Sequence, residues 1–372
     1  MAKEKLISIN LNNEVKKENY IALFTNTLVE GGAERQLIQL ANILSDYYTI
    51  YIVIFYGERI SKEYLALVNK NVHIAILRLE GSLLNKIYCY HKFLKTKQPT
   101  IVFNYLLMPN LIGGLIARSA GIKNTIGGIR SAFIQPKKVF LNKIAHNYIN
   151  HYTIFNNQRG LAKYTGMGFK RNKAVYIPNM VSENIPLPDK YSHSKQTPII
   201  LSVGRFIDAK DYESAIKIIS NVHRKGYQFE YIICGWGNLE KEIRNLVESS
   251  GIEKITKIYI RPSNLHCFYQ KADLYLQTSI FEGLSNTVME AMSYGLPCVV
   301  TNVGDNNLLI DNEINGYLCA PKNITQFSEK IIYLLKNPSI GLKMGENNKK
   351  KIAAQFGKQA FKSKYLEFIK NL

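Results

Sequence analysis

The stretch Glu282-Gly283-Leu284-Ser285-Asn286-Thr287-Val288-Met289-Glu290, running on into Ala291-Met292-Ser293-Tyr294-Gly295-Leu296-Pro297, decides how this chain is read. It follows a strand-like run, Asp273 to Gln277, and passes straight into a helical pattern. Ser285 suits the N-cap, which leaves the N–H groups of Asn286 and Thr287 open to a phosphate at the helix start. Glu282 falls in the loop before that helix and Glu290 about one and a half turns into it, so both can face one ligand bound at the turn. Carboxylates accept from vicinal hydroxyls, so one suits a sugar and the other a ribose. Two solvated surface carboxylates would leave the same text.

Upstream of this stretch the second half alternates short β-rich runs with helical patterns. The strands expected are Ile199 to Val203, Tyr231 to Cys234, Lys257 to Ile260, Asp273 to Gln277 and Cys298 to Thr301. The first of them runs into Gly204-Arg205-Phe206-Ile207-Asp208-Ala209-Lys210. Two cations at the C-terminal end of a strand stand where open α/β sheets bind ligands, and Arg grips a diphosphate bidentately. The second ends in Cys234-Gly235-Trp236-Gly237, a tight turn into a helix whose small residues serve a turn as well as a ligand.

The first half repeats the alternation. Strands are expected at Tyr20 to Thr25, Thr49 to Phe55, Val72 to Leu77, Thr100 to Tyr105, Thr125 to Ile129, Tyr152 to Phe155 and Ala174 to Ile177. Between the first two, Leu37, Leu40, Ala41 and Leu44 recur at helical spacing, so a βαβ unit opens the chain. Its turn, Leu28-Val29-Glu30-Gly31-Gly32-Ala33-Glu34-Arg35, lets a backbone come close to a phosphate at the helix N-terminus, or is simply a turn; it matches neither the Walker pattern nor GxGxxG. Pro186 to Pro198 is polar and aperiodic and reads as a linker. From Pro338 to Leu372 the text is helical, interrupted near Gly357. The reading is an α/β protein of two domains, which 372 residues are enough to fill.

Charge is distributed unevenly. The chain carries a net +20, and residues 1–190 hold 25 Lys and Arg against 11 Asp and Glu. No acidic residue lies between Glu80 and Glu183, a stretch with 15 Lys and Arg. A segment of one sign attracts an anionic membrane surface or an anionic acceptor, at about 1 kcal/mol per basic residue near lipid. The cysteines Cys89, Cys234, Cys267, Cys298 and Cys319 have no metal-type spacing and read as core residues of a reducing compartment. Met1 to Asn19 has no apolar h-region, so no signal peptide is expected, and no apolar run is long enough to span a bilayer.

The spacing of Glu282 and Glu290, preceded by Gly204-Arg205 with Lys210 and by Gly235-Trp236-Gly237, resembles glycosyltransferase family 4, retaining enzymes of the GT-B fold. The segment Gly31-Gly32-Ala33-Glu34-Arg35 looks like the N-terminal loop of members that build bacterial surface glycans, and Ile177-Pro178-Asn179 resembles the segment closing their first domain. The resemblance implies two Rossmann-like domains facing across a central cleft. Here these would be 1–185, with a helix at about 358–372 packing back on it, and 195–357.

The resemblance also implies roles. Arg205 and Lys210 would neutralise the donor diphosphate, Glu290 would hold the ribose and Glu282 would contact the donor sugar near its anomeric carbon. Gly31, Gly32, Gly204, Gly235, Gly283 and the backbone around Leu284, Ser285, Asn286 and Thr287 would line the donor site. Arg261 follows Ile260 where the family usually has a glycine beside uracil. Many members carry a His where this chain has Met108 or Pro109, and Arg130 with Ser131 is the neighbouring basic element that would help instead. His146 and His151 read as structural or surface residues. No DxD triplet occurs, so no divalent metal and no cofactor are expected beyond the nucleotide-sugar.

The expectation is therefore a retaining hexosyltransferase. It would move a hexose or N-acetylhexosamine from a UDP-sugar to a lipid-linked or polymeric glycan in bacterial lipopolysaccharide or capsule synthesis. It would sit in the cytoplasm, peripheral at the inner face of the membrane, with no nucleic-acid partner. The alternatives are a non-catalytic nucleotide- or polyanion-binding protein on the same scaffold, a GDP-sugar-dependent transferase, and a sugar-nucleotide epimerase, which the carboxylate spacing fits poorly.

Overall fold

The computed structural model describes residues 19–29, 31–77, 82–131, 134–181 and 197–372. Most of the expected linker, the stretch before Asn19 and Glu30 of the first turn lie outside the described residues. The chain divides into two compact units, Met1–Pro178 with Lys362–Leu372 and Asn179–Phe361.

The first unit is built on seven strands: β1 (Tyr20–Thr25), β2 (Thr49–Ile54), β3 (His73–Ile76), β4 (Ile101–Tyr105), β5 (Asn124–Ile129), β6 (Tyr152–Phe155) and β7 (Ala174–Tyr176). Every pairing is parallel, in the order β3-β2-β1-β4-β5-β6-β7. Ile21, Ala22, Leu23 and Phe24 are all buried, because a parallel strand covered on both faces must be apolar on both. Right-handed crossovers send Gly32–Leu44 and Lys62–Ala66 to one face and Leu83–Lys97, Gly114–Ser119 and Pro136–Ile144 to the other. On the latter, Phe24 stacks on Tyr90 at 4.1 Å. The strand order reverses between β1 and β4, so the turns after those two strands flank the switch point.

Below the turn after β4 lies a buried amide cluster that composition does not reveal. Asn110 donates to the carbonyl of Gly128 at 3.0 Å and accepts from its N–H at 2.9 Å, while Asn150 donates to the Asn110 carbonyl at 2.9 Å. These side chains satisfy backbone groups around two short π-helical turns, Pro109–Gly113 and Ala145–Ile149. The segment 362–372 completes the unit: Tyr365 is buried, 6.0 Å from the Phe103 ring, and Phe368 meets Tyr152 at 5.7 Å.

The second unit has six parallel strands: β8 (Ile199–Arg205), β9 (Glu230–Trp236), β10 (Thr256–Ile260), β11 (Leu274–Gln277), β12 (Cys298–Thr301) and β13 (Gly316–Cys319), in the order β10-β9-β8-β11-β12-β13. Strand β13 is not among the expected strands: it is four residues long and begins at Gly316, directly after Asn315, a pairing typical of turns. Strands β8 and β9 each run two residues past their expected ends, pairing Gly204 with Gly235 and Arg205 with Trp236. Glycine at 235 permits this, because a Cβ there would run into the Gly204 carbonyl. The second unit also starts earlier than the expected 195: Asn179 donates to Asn286 at 2.9 Å and the Val181 N–H to the Phe356 carbonyl at 3.0 Å.

All five cysteines are free, and burial pushes the thiols of Cys234 and Cys319 up to about 12, which leaves them unreactive core residues. Among the described residues no helix is long and apolar enough to cross a membrane.

Candidate functional site

In the second unit the strand order reverses between β8 and β11, whose C-terminal ends carry the predicted residues. Arg205 closes β8 and is exposed. Lys210 follows in a single 3-10 turn, Asp208–Lys210, that is tied to the loop after β11. Thr278 donates to the Lys210 and Asp211 carbonyls at 3.1 and 2.8 Å, and the Ile280 N–H donates to the Ala209 carbonyl at 2.9 Å. These bonds bring Lys210 and Glu282, 72 positions apart, to a 2.5 Å ion pair with side chains 18% and 11% exposed.

Glu282 is held by more than its counter-ion. Oε1 also accepts from Ser279 Oγ at 2.8 Å and from Gln277 Nε2 at 3.2 Å. The loop behind it is pressed flat: Gly304 sits at φ +58°, where a Cβ would collide with the carbonyls of Glu282 and Gly283, and the Asp305 N–H donates to Gly283 at 2.9 Å.

The helix after this loop spans Asn286–Ser293, with Ser285 at its N-cap accepting from the Val288 N–H. The first-turn N–H groups of Asn286 and Thr287 have no partner within the helix itself, so this end suits an anion. Leu284 is buried against the core and Thr287 Oγ1 lies 3.3 Å from Ser285 Oγ. Glu290 is bound through Oε2, which accepts from Tyr269 OH at 3.0 Å; burial, then the Glu290 charge, pushes that phenol well up, so it stays a donor. Tyr269 stacks on Tyr294 at 5.3 Å, and Tyr294 contacts His266. Beside Gly235, Arg261 lies 4.4 Å over the ring of Trp236 and its N–H donates to the Gly235 carbonyl at 3.1 Å.

In the first unit, Gly31 is bound on both sides by Tyr64, whose hydroxyl takes the Gly31 N–H at 3.1 Å and lies 3.2 Å from its carbonyl. The helix Gly32–Leu44 starts without a side-chain cap, and burial pushes the Glu34 carboxyl in its first turn upward. Arg130 lies 4.5 Å over Tyr105 and donates to Tyr365 OH at 3.5 Å. Met108 is exposed and Pro109 buried in the turn after β4. His146 is buried, with Nε2 2.9 Å from the Lys170 carbonyl and its ring against Phe169, while His151 stacks on Tyr152.

Sequence reasoning missed Gln277, Asn306, Ser279 and Tyr269. Gln277 stands inside an apolar strand pattern, where a lone amide is the only signal. Asn306 is nearly thirty positions away and gives none. Among the described residues no cluster of three or more His, Cys, Asp or Glu is placed to hold a metal ion.

The family described as Glycosyl transferases group 1 matches residues 185–351. An uncharacterized glycosyltransferase of Haemophilus influenzae is 29% identical over 182 residues, covering 49% of this chain and 51% of that protein. The chain spans about half the length of several curated relatives it matches, this one among them. Over nearly its whole length, 94% of this chain and 98% of the relative, it is 22% identical to the Campylobacter jejuni GalNAc-alpha-(1->4)-GalNAc-alpha-(1->3)-diNAcBac-PP-undecaprenol alpha-1,4-N-acetyl-D-galactosaminyltransferase. Among solved structures, Anabaena HepE in complex with UDP superposes with a TM-score of 0.81 at 15% identity, covering 95% of this chain and all of that one. The fold is GT-B, two parallel-sheet Rossmann-like domains.

Proposed function

We propose that the chain, whose residues 185–351 match the glycosyl transferases group 1 family, transfers a hexose or N-acetylhexosamine from a UDP-sugar, with retention, to a lipid-linked or polymeric glycan of a bacterial surface. The observation that supports this most is the Lys210–Glu282 pair at the strand ends, beside the open start of the Asn286–Ser293 helix. Cations and aligned N–H dipoles there meet the charge of a departing diphosphate, while carboxylates suit the hydroxyls of sugar and ribose.

The bond from the anomeric carbon to the diphosphate oxygen breaks and a bond to an acceptor hydroxyl oxygen forms. The hydroxyl proton leaves with the nucleoside diphosphate. Arg205, Lys210 and the N–H groups of Asn286 and Thr287 stabilise the leaving group. Glu290, steadied by Tyr269, takes the ribose, and Arg261 with Trp236 borders the base. Glu282 orients the sugar.

The UDP bound to HepE and the undecaprenyl-linked acceptor named for the Campylobacter relative support the donor base and the lipid-linked acceptor. A membrane surface is the natural place for such an acceptor. The first unit exposes Leu84, Phe140 and Tyr148 among its basic residues, with Lys170 lying 5.3 Å over the Tyr148 ring. Aromatic rings and lysines of this kind favour the boundary between lipid and water.

A panel of UDP- and GDP-sugars, scored by thermal shift and slow donor hydrolysis with EDTA present, tests the proposal. Stabilisation and turnover by one UDP-sugar, lost in Glu282→Ala and Arg205→Ala, is the expected result. A folded protein that responds to no nucleotide-sugar would return the chain to the non-catalytic binding class.

A further inference from the structure

Glu282 uses its two oxygens unequally. Oε1 takes three donors, from Lys210, Ser279 and Gln277, while Oε2 takes none among the described residues. The weakest-looking of the three donors is the one whose direction is most firmly set.

The amide of Gln277 is oriented from behind. The backbone carbonyl of Thr301 only accepts, so Asn306, 2.9 Å away, must turn its NH2 toward it. The second hydrogen of that NH2 goes to Gln277 Oε1 at 2.9 Å. Gln277 is left with its own NH2 facing forward, to Glu282 Oε1 and to Ser285 Oγ at 2.9 Å. Both amides are buried, at 5% and 0% exposure. Asn306 Oδ1 has no hydrogen-bond partner. Turning Asn306 over would bring that oxygen against the Thr301 carbonyl, and turning Gln277 with it would set an amide oxygen on the Glu282 carboxylate. Donors therefore run one way only, from Asn306 through Gln277 to Glu282 and to the N-cap of the Asn286–Ser293 helix.

We propose that Asn306 and Gln277 form a directional amide relay that pins Glu282 Oε1 and leaves Oε2 for a hydroxyl of the donor sugar. This rests on the donor-binding role proposed above. Neither amide touches substrate; both are positioning residues acting through Glu282.

The test uses the full-length protein with UDP, UDP-glucose and UDP-N-acetylglucosamine, measuring UDP affinity by calorimetry and donor hydrolysis across pH. Gln277→Met keeps the bulk and removes the donor; it should lower kcat/KM about tenfold or more at every pH, with UDP affinity within about twofold of wild type. Gln277→Glu replaces the amide with a carboxyl that donates only when protonated. Its activity should be equally low near about pH 8.5 and rise about fivefold relative to wild type as the pH falls to about 5.5. Asn306→Asp, which cannot donate to Gln277, should behave like Gln277→Met.

A folded Gln277→Met protein with wild-type kcat/KM would overturn the relay, as would a Gln277→Glu profile parallel to that of wild type. If Gln277→Met does not fold, the Gln277→Glu profile decides. Absence of UDP binding by the wild type itself would remove the donor reading and the relay with it, and that result is seen before any variant is made.

Discussion

The guanidinium of Arg261 lies 4.4 Å above the ring of Trp236, at the turn where β9 ends. Trp236 is the only tryptophan in the chain and is 37% exposed. A UDP titration should therefore change the intrinsic tryptophan fluorescence, and Arg261→Ala should weaken UDP binding about fivefold, in line with one cation–π contact. Unchanged emission at saturating UDP, with binding established by calorimetry, would remove Trp236 from the base side.

Lys210 and Glu282 should be energetically coupled. Lys210→Met leaves a largely buried carboxylate without its counter-ion, and Glu282→Gln leaves the cation. A double-mutant cycle in urea should give a coupling of about 1–3 kcal/mol, discounted for the partial exposure of both groups. A coupling indistinguishable from zero would mean that solvent, not Lys210, neutralises Glu282.

Arg205 should separate activity from stability. It is exposed and makes no ion pair among the described residues, so Arg205→Ala should leave Tm unchanged while lowering turnover about a hundredfold or more. Arg205→Lys should recover little, since a lysine does not reproduce a bidentate grip. Full activity in Arg205→Lys would show that only the charge matters.

His146 should make stability pH-dependent. Burial pushes its imidazole pKa below the ordinary value near about 6.5. The unfolded chain then binds the proton more readily than the folded one. The contribution is complete above the unfolded value and is lost as the pH falls through it toward the folded one. Tm measured from about pH 7.5 to about pH 5.5 should fall less in His146→Leu than in wild type, once the curves are set equal at the upper end. Parallel curves would assign the pH dependence to other groups.

The exposed rings of the first unit should respond to lipid. Phe140→Ser with Tyr148→Ser should reduce sedimentation with vesicles containing anionic phospholipid, and raised salt should reduce it further. Binding that ignores both the substitutions and the salt would place the contact elsewhere.

Much of the scaffold was legible because parallel strands covered on both faces must be written as unbroken apolar runs. Tyr20–Thr25, Tyr152–Phe155 and Cys298–Thr301 fall on the expected residues for that reason. Gly316–Cys319 escaped because it is short and opens on an Asn-Gly pair. Within the candidate site, the charged members announce themselves by type and spacing, while the parts that aim them do not. Gln277 looks like a flaw in a strand, and its partner Asn306 becomes meaningful only when the sheet brings the turn after β12 beside β11. The tie from Asn179 to Asn286 spans more than a hundred positions and has no local signature either.

Tyr365 lies against Phe103 and reaches Arg130, yet it is made after every residue of the second unit. During synthesis the second unit can therefore be whole while the first still lacks a wall. Arg130 acquires its Tyr365 neighbour only once the ribosome has passed that position, so the last piece translated of the two units closes the part begun first. A stalled or clipped chain would carry a finished second unit and an Arg130 without that tyrosine, a difference a limited-proteolysis time course on nascent chains would expose.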